Sequence, residues 1–335
     1  MPVRIFENKR GSLQEITKTS GLEDYLGWWN SLAAADLDND GDIDYVVGNN
    51  GKNNYFQGTK EEPLRLYAKD LDNNGSIDPF ITYYLRDSIG VRHEYLYHPW
   101  QDVVNQFAGI RKMFNSYGAF GASTAPEMFA NGLMDNATVL SANWMDTSWI
   151  ENLGNGKFKM HALPKEAQMA PVFGILPMDF DNDNNMDILL VGNDYGMEVQ
   201  QGRADAMVGL ALRNNGNGDF TALSLDESNF FVPGDAKSLV SLNLSEDKSL
   251  IIASQNRDAL KIIDRPNTAS GKVIRLQSNE VKCLLKLENG KIQIHEFYLG
   301  NTFQSQSSRA ITVGKGVKEI RFLDNLGKET RRLEF

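Results

Sequence analysis

The sequence predicts a mainly β protein of repeated strand–loop–strand units, with an inserted helical hairpin and a small C-terminal β-domain. Three observations predict this. A nine-residue acidic pattern occurs three times, each time ahead of a strand-like run. Turns rich in Gly and Asn lead into an apolar or aromatic residue at three places. A central stretch switches to the 4-3-4-3 spacing of a helix face.

The acidic copies are DLDNDGDID (36–44), DLDNNGSID (70–78) and DFDNDNNMD (179–187). Like charges this dense repel, so the loop folds when a cation sits among them. Positions 1, 3 and 5 are Asp36, Asp38, Asp40; Asp70, Asp72, Asn74; and Asp179, Asp181, Asp183. Alternate side chains of a curled loop converge on one centre. Position 6 needs a sharp turn, which Gly41, Gly75 and Asn184 supply. Position 7 (Asp42, Ser76, Asn185) needs only its carbonyl, and position 9 is an acid each time: Asp44, Asp78, Asp187. An all-oxygen set of this kind suits Ca²⁺, which takes six to eight oxygen ligands.

The first half of the pattern is that of an EF-hand, but position 12 is Val47, Ile81 or Leu190 where an EF-hand needs Glu. The residues that follow, YVVGN, FITYY and ILLVGN, are strand-like. These are therefore loops between strands.

The Gly/Asn turns are NKRGSL (8–13), NLGNGKF (152–158) and NNGNGDF (214–220), each a tight hairpin turn feeding a strand. Residues 8–58 and 152–220 share the order turn, strand, acidic loop, strand; residues 63–85 are a shortened copy. Residues 235–264 read as a degenerate unit with strands at 238–244, 249–253 and 259–263. The combination resembles the FG-GAP/VCBS repeat family. The resemblance rests on ADLDNDGDIDYVVGN (35–49), MDFDNDNNMDILLVGN (178–193) and the turns ending in Phe158 and Phe220. It covers about residues 1–265 and implies a calcium-loop β-propeller, whole or partial. Three units and one degenerate unit are few for a closed ring.

The insertion spans about residues 86–150. Val103, Phe107, Ile110, Phe114 and Tyr117 share one helix face, Pro99 suits its first turn, and TAPE (124–127) is a capping box opening a second helix. Residues 270–335 read as the small β-domain, with a hairpin over 284–294 and a type I′ turn at Asn289-Gly290. The run FQSQSSRAITVGKG (303–316) resembles the ASPIC/UnbV family, although Phe322-Leu323-Asp324-Asn325 departs from its usual pattern.

Composition narrows the function. Net charge is −10, and the loops hold twelve of the 44 acidic residues, so the acidity belongs mostly to them. No basic surface for nucleic acid is indicated, and no stretch is a transmembrane span. The lone Cys283 reads as a buried thiol. The N-terminal MPVRIFEN lacks the apolar run of a secretory signal, so either the signal has been trimmed or the chain belongs to a longer protein. Outside the loops, functional side chains are densest in HEYLYHPW (93–100). Tyr95, Tyr97 and Trp100 can stack on sugars while His93, Glu94 or His98 bonds hydroxyls; packing onto the scaffold is the competing reading. No catalytic fingerprint is present and no residue is assigned as catalytic. The resemblance implies an extracytoplasmic interaction module that binds a glycan or an extracellular protein, with calcium mainly structural. The alternative is a calcium-dependent polysaccharide lyase or hydrolase that uses the insertion.

Overall fold

The computed structural model describes residues 1–245, 248–266, 272–300 and 302–335. The strands are, in chain order, β1 (Phe6–Lys9), β2 (Ser12–Glu15), β3 (Ser31–Ala35), β4 (Asp44–Gly48), β5 (Leu64–Lys69), β6 (Asp78–Arg86), β7 (Arg92–Leu96), β8 (Thr138–Ala142), β9 (Ser148–Asn152), β10 (Phe158–Ala162), β11 (Val172–Met178) and β12 (Asp187–Gly192). They continue as β13 (Leu210–Asn214), β14 (Phe220–Ala222), β15 (Ala236–Asn243), β16 (Lys248–Gln255), β17 (Lys261–Pro266), β18 (Lys272–Arg275), β19 (Lys282–Leu287), β20 (Ile292–Glu296), β21 (Ala310–Val313), β22 (Val317–Leu323) and β23 (Glu329–Glu334). The helices are short: α1 (Thr17–Ser20), α2 (Trp100–Gln106), α3 (Tyr117–Ala122), α4 (Ala125–Met128) and α5 (Leu225–Ser228). The protein is thus mainly β, as the sequence predicts.

The chain divides into two compact units, of which one comprises residues 1–3, 23–28 and 55–145. Its sheet has the order β7-β6-β5-β8. The remaining residues form the second unit. Its sheets are β10-β9-β4-β3, β11-β12-β13-β14, β15-β16-β17, β18-β21, β20-β19-β22-β23 and the ribbon β1-β2. The sequence order hides one feature of this layout. The strands β3 and β4, which flank the first acidic loop, are completed by β9 and β10, so residues 55–145 are inserted within a sheet. Pairing of β4 with β9 (Tyr45↔Ile150, Val46↔Trp149) is a tertiary choice that no local pattern in 8–58 encodes.

The strand β12 shows how alternation builds the second unit. All six of its residues are buried. Ile188 and Leu190 face one core, with Val46, Ile175 and Leu212. Leu189 and Val191 face another, with Phe230, Leu239 and Ile251. Full burial of each such side chain contributes about 1.5–3 kcal/mol. The Gly that ends both β4 and β12 is steric in origin. A Cβ on Gly192 would lie 1.9 Å from the Pro171 carbonyl oxygen, and one on Gly48 would lie 2.4 Å from that of Val172.

Two expectations are corrected by backbone geometry. The predicted helical hairpin is instead a string of short turns between β7 and β8. The helix α2 ends at Phe107, whose φ is −131°, and Ser116 and Thr124 then cap fresh starts at α3 and α4. The apolar spacing still delivers Val103, Phe107, Ile110 and Phe114 to one core, but Tyr117 is exposed. At Asn289-Gly290 only the glycine takes a positive φ (86°), and Leu287 N–H reaches Lys291 O at 2.9 Å. That is a three-residue loop with a left-handed glycine, not a type I′ turn. The boundary between the 1–265 and 270–335 regions falls at residues 267–271, outside the described residues; residues 272–335 form their own core around Cys283, Leu285, Ile320 and Phe322.

Candidate metal sites

The three acidic loops adopt one backbone. Position 6 is left-handed in each, with φ of 92° at Gly41, 89° at Gly75 and 68° at Asn184, as the spacing predicts. So is position 4: Asn39 at 61°, Asn73 at 57° and Asn182 at 66°. Asn is the residue that tolerates this region best after Gly, and its presence at position 4 of all three copies is a local signal of the turn.

Position 9 staples the loop. Asp44, Asp78 and Asp187 each accept the backbone N–H of position 2, from Leu37 (2.9 Å), Leu71 (2.9 Å) and Phe180 (2.8 Å). In two loops the other carboxylate oxygen is held as well. Asn152 N–H reaches Asp44 and Asn214 N–H reaches Asp187, both at 2.8 Å. The side chains of these asparagines also donate to the carbonyls of Ile43 and Met186. Asn152 and Asn214 are the first residues of the Gly/Asn turns, so the two repeated motifs are halves of one clamp.

The carboxylates converge. One oxygen from each of Asp36, Asp38 and Asp40 lies within 4.8 Å of the others, and the same holds for Asp70, Asp72 and Asp78 and for Asp179, Asp181 and Asp187. These clusters can hold a metal ion. Position 5 also shapes each loop: Asp40, Asn74 and Asp183 each accept the N–H of position 7, from Asp42, Ser76 and Asn185.

Loop 1 has the chemistry of a cation site. Asp36 is buried and its Oδ1 has no hydrogen-bond partner, and a buried oxygen of Asp42 is likewise orphaned. An unpaired buried carboxylate oxygen is costly, and an ion is the natural partner for an acceptor-only group. Burial, reinforced by the neighbouring aspartates, pushes the Asp36 and Asp42 carboxyls up to about 6. Burial pushes Asp44 to about 7 against two N–H donors. No basic side chain forms an ion pair with loop 1 among the described residues.

Loop 3 differs. Burial raises Asp179 to about 6 and Asp187 to about 7. Here, however, Arg213 Nε bonds Asp181 at 2.8 Å, and Arg265 donates to the carbonyls of Asp179 (2.6 Å) and Phe180 (2.7 Å). Loop 2 is more exposed and stitches itself: Asp70 accepts the N–H groups of Asn74 and Gly75.

Loops 1 and 3 share a clasp from β20. Ile294 N–H donates to Asp36 Oδ2 at 3.0 Å. The Gln293 amide donates both to Asn39 Oδ1 and to the Asn184 carbonyl. Asn39 in turn donates to Asn185 Oδ1 at 2.9 Å. Nothing local to the hairpin 284–294 marks Gln293 for this role.

The aromatic cluster 93–100 lies on β7 and at the start of α2. Glu94 is buried, bonded to Arg65 (2.7 Å) and Thr82 (2.5 Å). His93 meets Asp87 at 3.2 Å and packs edge-on to Tyr95. His98 Nε2 accepts the Ile81 N–H at 3.2 Å. Tyr97 packs on Phe56 and Tyr83, and Trp100 on Phe120. The structure thus brings these side chains into neighbouring contacts, mostly within the sheet and core rather than around a common opening.

Residues 1–47 match the family model described as FG-GAP-like repeat. That segment contains the first Gly/Asn turn and loop 1. No curated protein matches the chain.

Proposed function

We propose that the chain is a calcium-stabilised interaction module. Its sheets are blades of a whole or partial β-propeller, its C-terminal β-domain is of the ASPIC/UnbV kind, and it works outside the cytoplasm on a glycan or a protein. The observation that carries the metal reading is loop 1, where buried carboxylate oxygens of Asp36 and Asp42 lack any partner. Asp36, Asp38 and Asp40, with the position-7 carbonyl, would hold the ion in loop 1; Asp70, Asp72 and Asp78, with Asn74, in loop 2; Asp179, Asp181 and Asp187, with Asp183, in loop 3. Calcium would supply charge neutralisation and oxygen coordination. A site of about 0.1 mM affinity in about 1 mM calcium adds roughly 1.4 kcal/mol of stability. The match of residues 1–47 to the repeat model supports the repeat reading.

Binding is favoured over catalysis because Glu94 is committed to Arg65 and Thr82, and His98 to the Ile81 amide. The test is elemental analysis of purified protein together with thermal unfolding in calcium and in excess chelator. Bound calcium and a chelator-sensitive melting temperature are expected; no bound metal and superimposable melts would sink the reading. A glycan panel followed by tryptophan fluorescence tests the carbohydrate form.

A further inference from the structure

Five sheets of the second unit each present an edge strand to one cavity of about 190 Å³. The strands are β3, β11, β15, β20 and β21, edges of their sheets among the described residues. An edge strand turns half of its N–H and C=O groups away from its one partner. Part of this rim is already served. Ile294 N–H goes to Asp36, and the N–H groups of Ser241 and Asn243 reach the hydroxyl oxygens of Ser307 and Ser308, both at 3.1 Å. Along β3 and β11 the rim is open. Among the described residues, Ala33–Ala35 and Ile175–Leu176 make no backbone–backbone bond outside their own sheets.

One side chain of the wall is unpaired as well. His295 Nε2 is buried and has no hydrogen-bond partner among the described residues. Burial pushes the imidazole down to about 4, so the ring is neutral and offers one N–H and one lone pair. The charged groups of the wall are committed. Arg265 donates to the Asp179 and Phe180 carbonyls, and Asp179 accepts two N–H groups of its own loop. Glu296 is held by Lys282 at 2.7 Å and by the Tyr298 hydroxyl at 2.5 Å.

These facts narrow the occupant. An ionic ligand finds no uncommitted counter-charge here, and burying one unpaired is costly. A wholly apolar ligand would leave His295 and the strand edges unserved. Size sets the rest: a cavity of about 150 Å³ holds benzene, so 190 Å³ takes one six-membered ring with substituents. We propose that this cavity binds one neutral pyranose residue of a glycan, with its hydroxyls on His295 Nε2 and on the open edges of β3 and β11. The proposal rests on the glycan reading above and gives it a site apart from the cluster 93–100.

The chain has four histidines, His93, His98, His161 and His295, so imidazole NMR reports which site a sugar uses. The full chain, labelled at histidine and kept in calcium, is titrated with the methyl glycosides of glucose, mannose and galactose and with N-acetylglucosamine, each to about 50 mM. At least one should shift His295 saturably and leave the other three in place. Saturation transfer to that sugar should weaken about tenfold in His295→Phe, the loss of one buried hydrogen bond. If that variant misfolds, Ala34→Leu serves: it narrows the cavity outside the core that holds Ala33 and Ala35, and transfer should vanish. Failure of all four sugars to move His295 overturns the site. Shifts confined to His93 or His98 also overturn it, while leaving the glycan reading in place. Tighter binding of methyl glucuronide than of any neutral sugar at His295 overturns the neutral class.

Discussion

Loops 1 and 3 have the same nine-position pattern, the same two left-handed positions and the same clamped ninth aspartate, yet opposite electrostatic surroundings. Among the described residues no basic side chain pairs with loop 1, and Glu151 adds to the repulsion on Asp42. Loop 3 has Arg213 on Asp181 and Arg265 against its first turn. The comparison teaches that the motif specifies backbone and ligand positions, while dependence on the ion is set by neighbours the motif does not contain. On the proposed reading, loop 1 would depend on a cation more than loop 3, which carries a partial substitute.

The largest break in that comparison is Arg265→Ala. It removes a half-buried cation and its two bonds to carbonyls, and should destabilise the metal-free protein by about 2 kcal/mol. Calcium should recover part of the loss, read as a larger calcium-induced rise in melting temperature than in the parent. An unchanged calcium response would mean that Arg265 does not stand in for the ion.

The second is Asp36→Asn against Asp179→Asn. In chelator both should stabilise, since burial raises both carboxyls, the first by about 1 kcal/mol and the second by less, because Asp179 accepts two N–H groups of its own loop that an amide serves less well. In calcium both should lose about one bound ion by elemental analysis. Equal shifts in chelator would erase the distinction between the loops.

The third is pH. The raised aspartates of loops 1 and 3 have folded pKa values near 6–7, above the ordinary unfolded value near 4. The folded state therefore binds more protons in that window, and metal-free stability falls as pH rises from about 4 to 7. Melting in chelator should thus be higher at pH 5 than at pH 8, and saturating calcium should flatten or reverse the slope. A chelated protein that melts higher at pH 8 than at pH 5 contradicts this.

The smallest is Arg213→Ala. Its ion pair is partly exposed, so stability should drop by less than about 1 kcal/mol. Calcium affinity at loop 3 should rise a few-fold, measured by calorimetry, because Asp181 is freed for the ion.

Much of this was legible in the sequence because it is local. Gly41, Gly75 and Asn184 sit where the turn needs them, and the apolar run of β12 from Ile188 to Val191 is written in consecutive residues. The asparagine at position 4 was equally local and was overlooked. Other features depend on what a residue meets after folding. Asn152 announces a turn but not its grip on Asp44, over a hundred residues away. Gln293 looks like any polar position in a hairpin. The break at Phe107 arises because that residue leaves helical geometry, although its spacing with Val103 and Ile110 is perfectly helical. The cluster 93–100 is rich in chemistry by composition, but Glu94 and His98 are engaged by Arg65, Thr82 and Ile81, none of which the octapeptide contains.

The clasp from β20 makes residues 272–335 a mechanical handle on loops 1 and 3. Tension on residues 272–335 reaches Asp36 and Asn39 through Ile294 and Gln293, because those amides are the threads that join them. Linkage is reciprocal, so an ion that tightens the loops also raises the force needed to peel the domain away. Single-molecule pulling in calcium and in chelator would read this as two distinct rupture forces. If loops 1 and 3 hold the proposed ions, strain on this domain would be a route to releasing them.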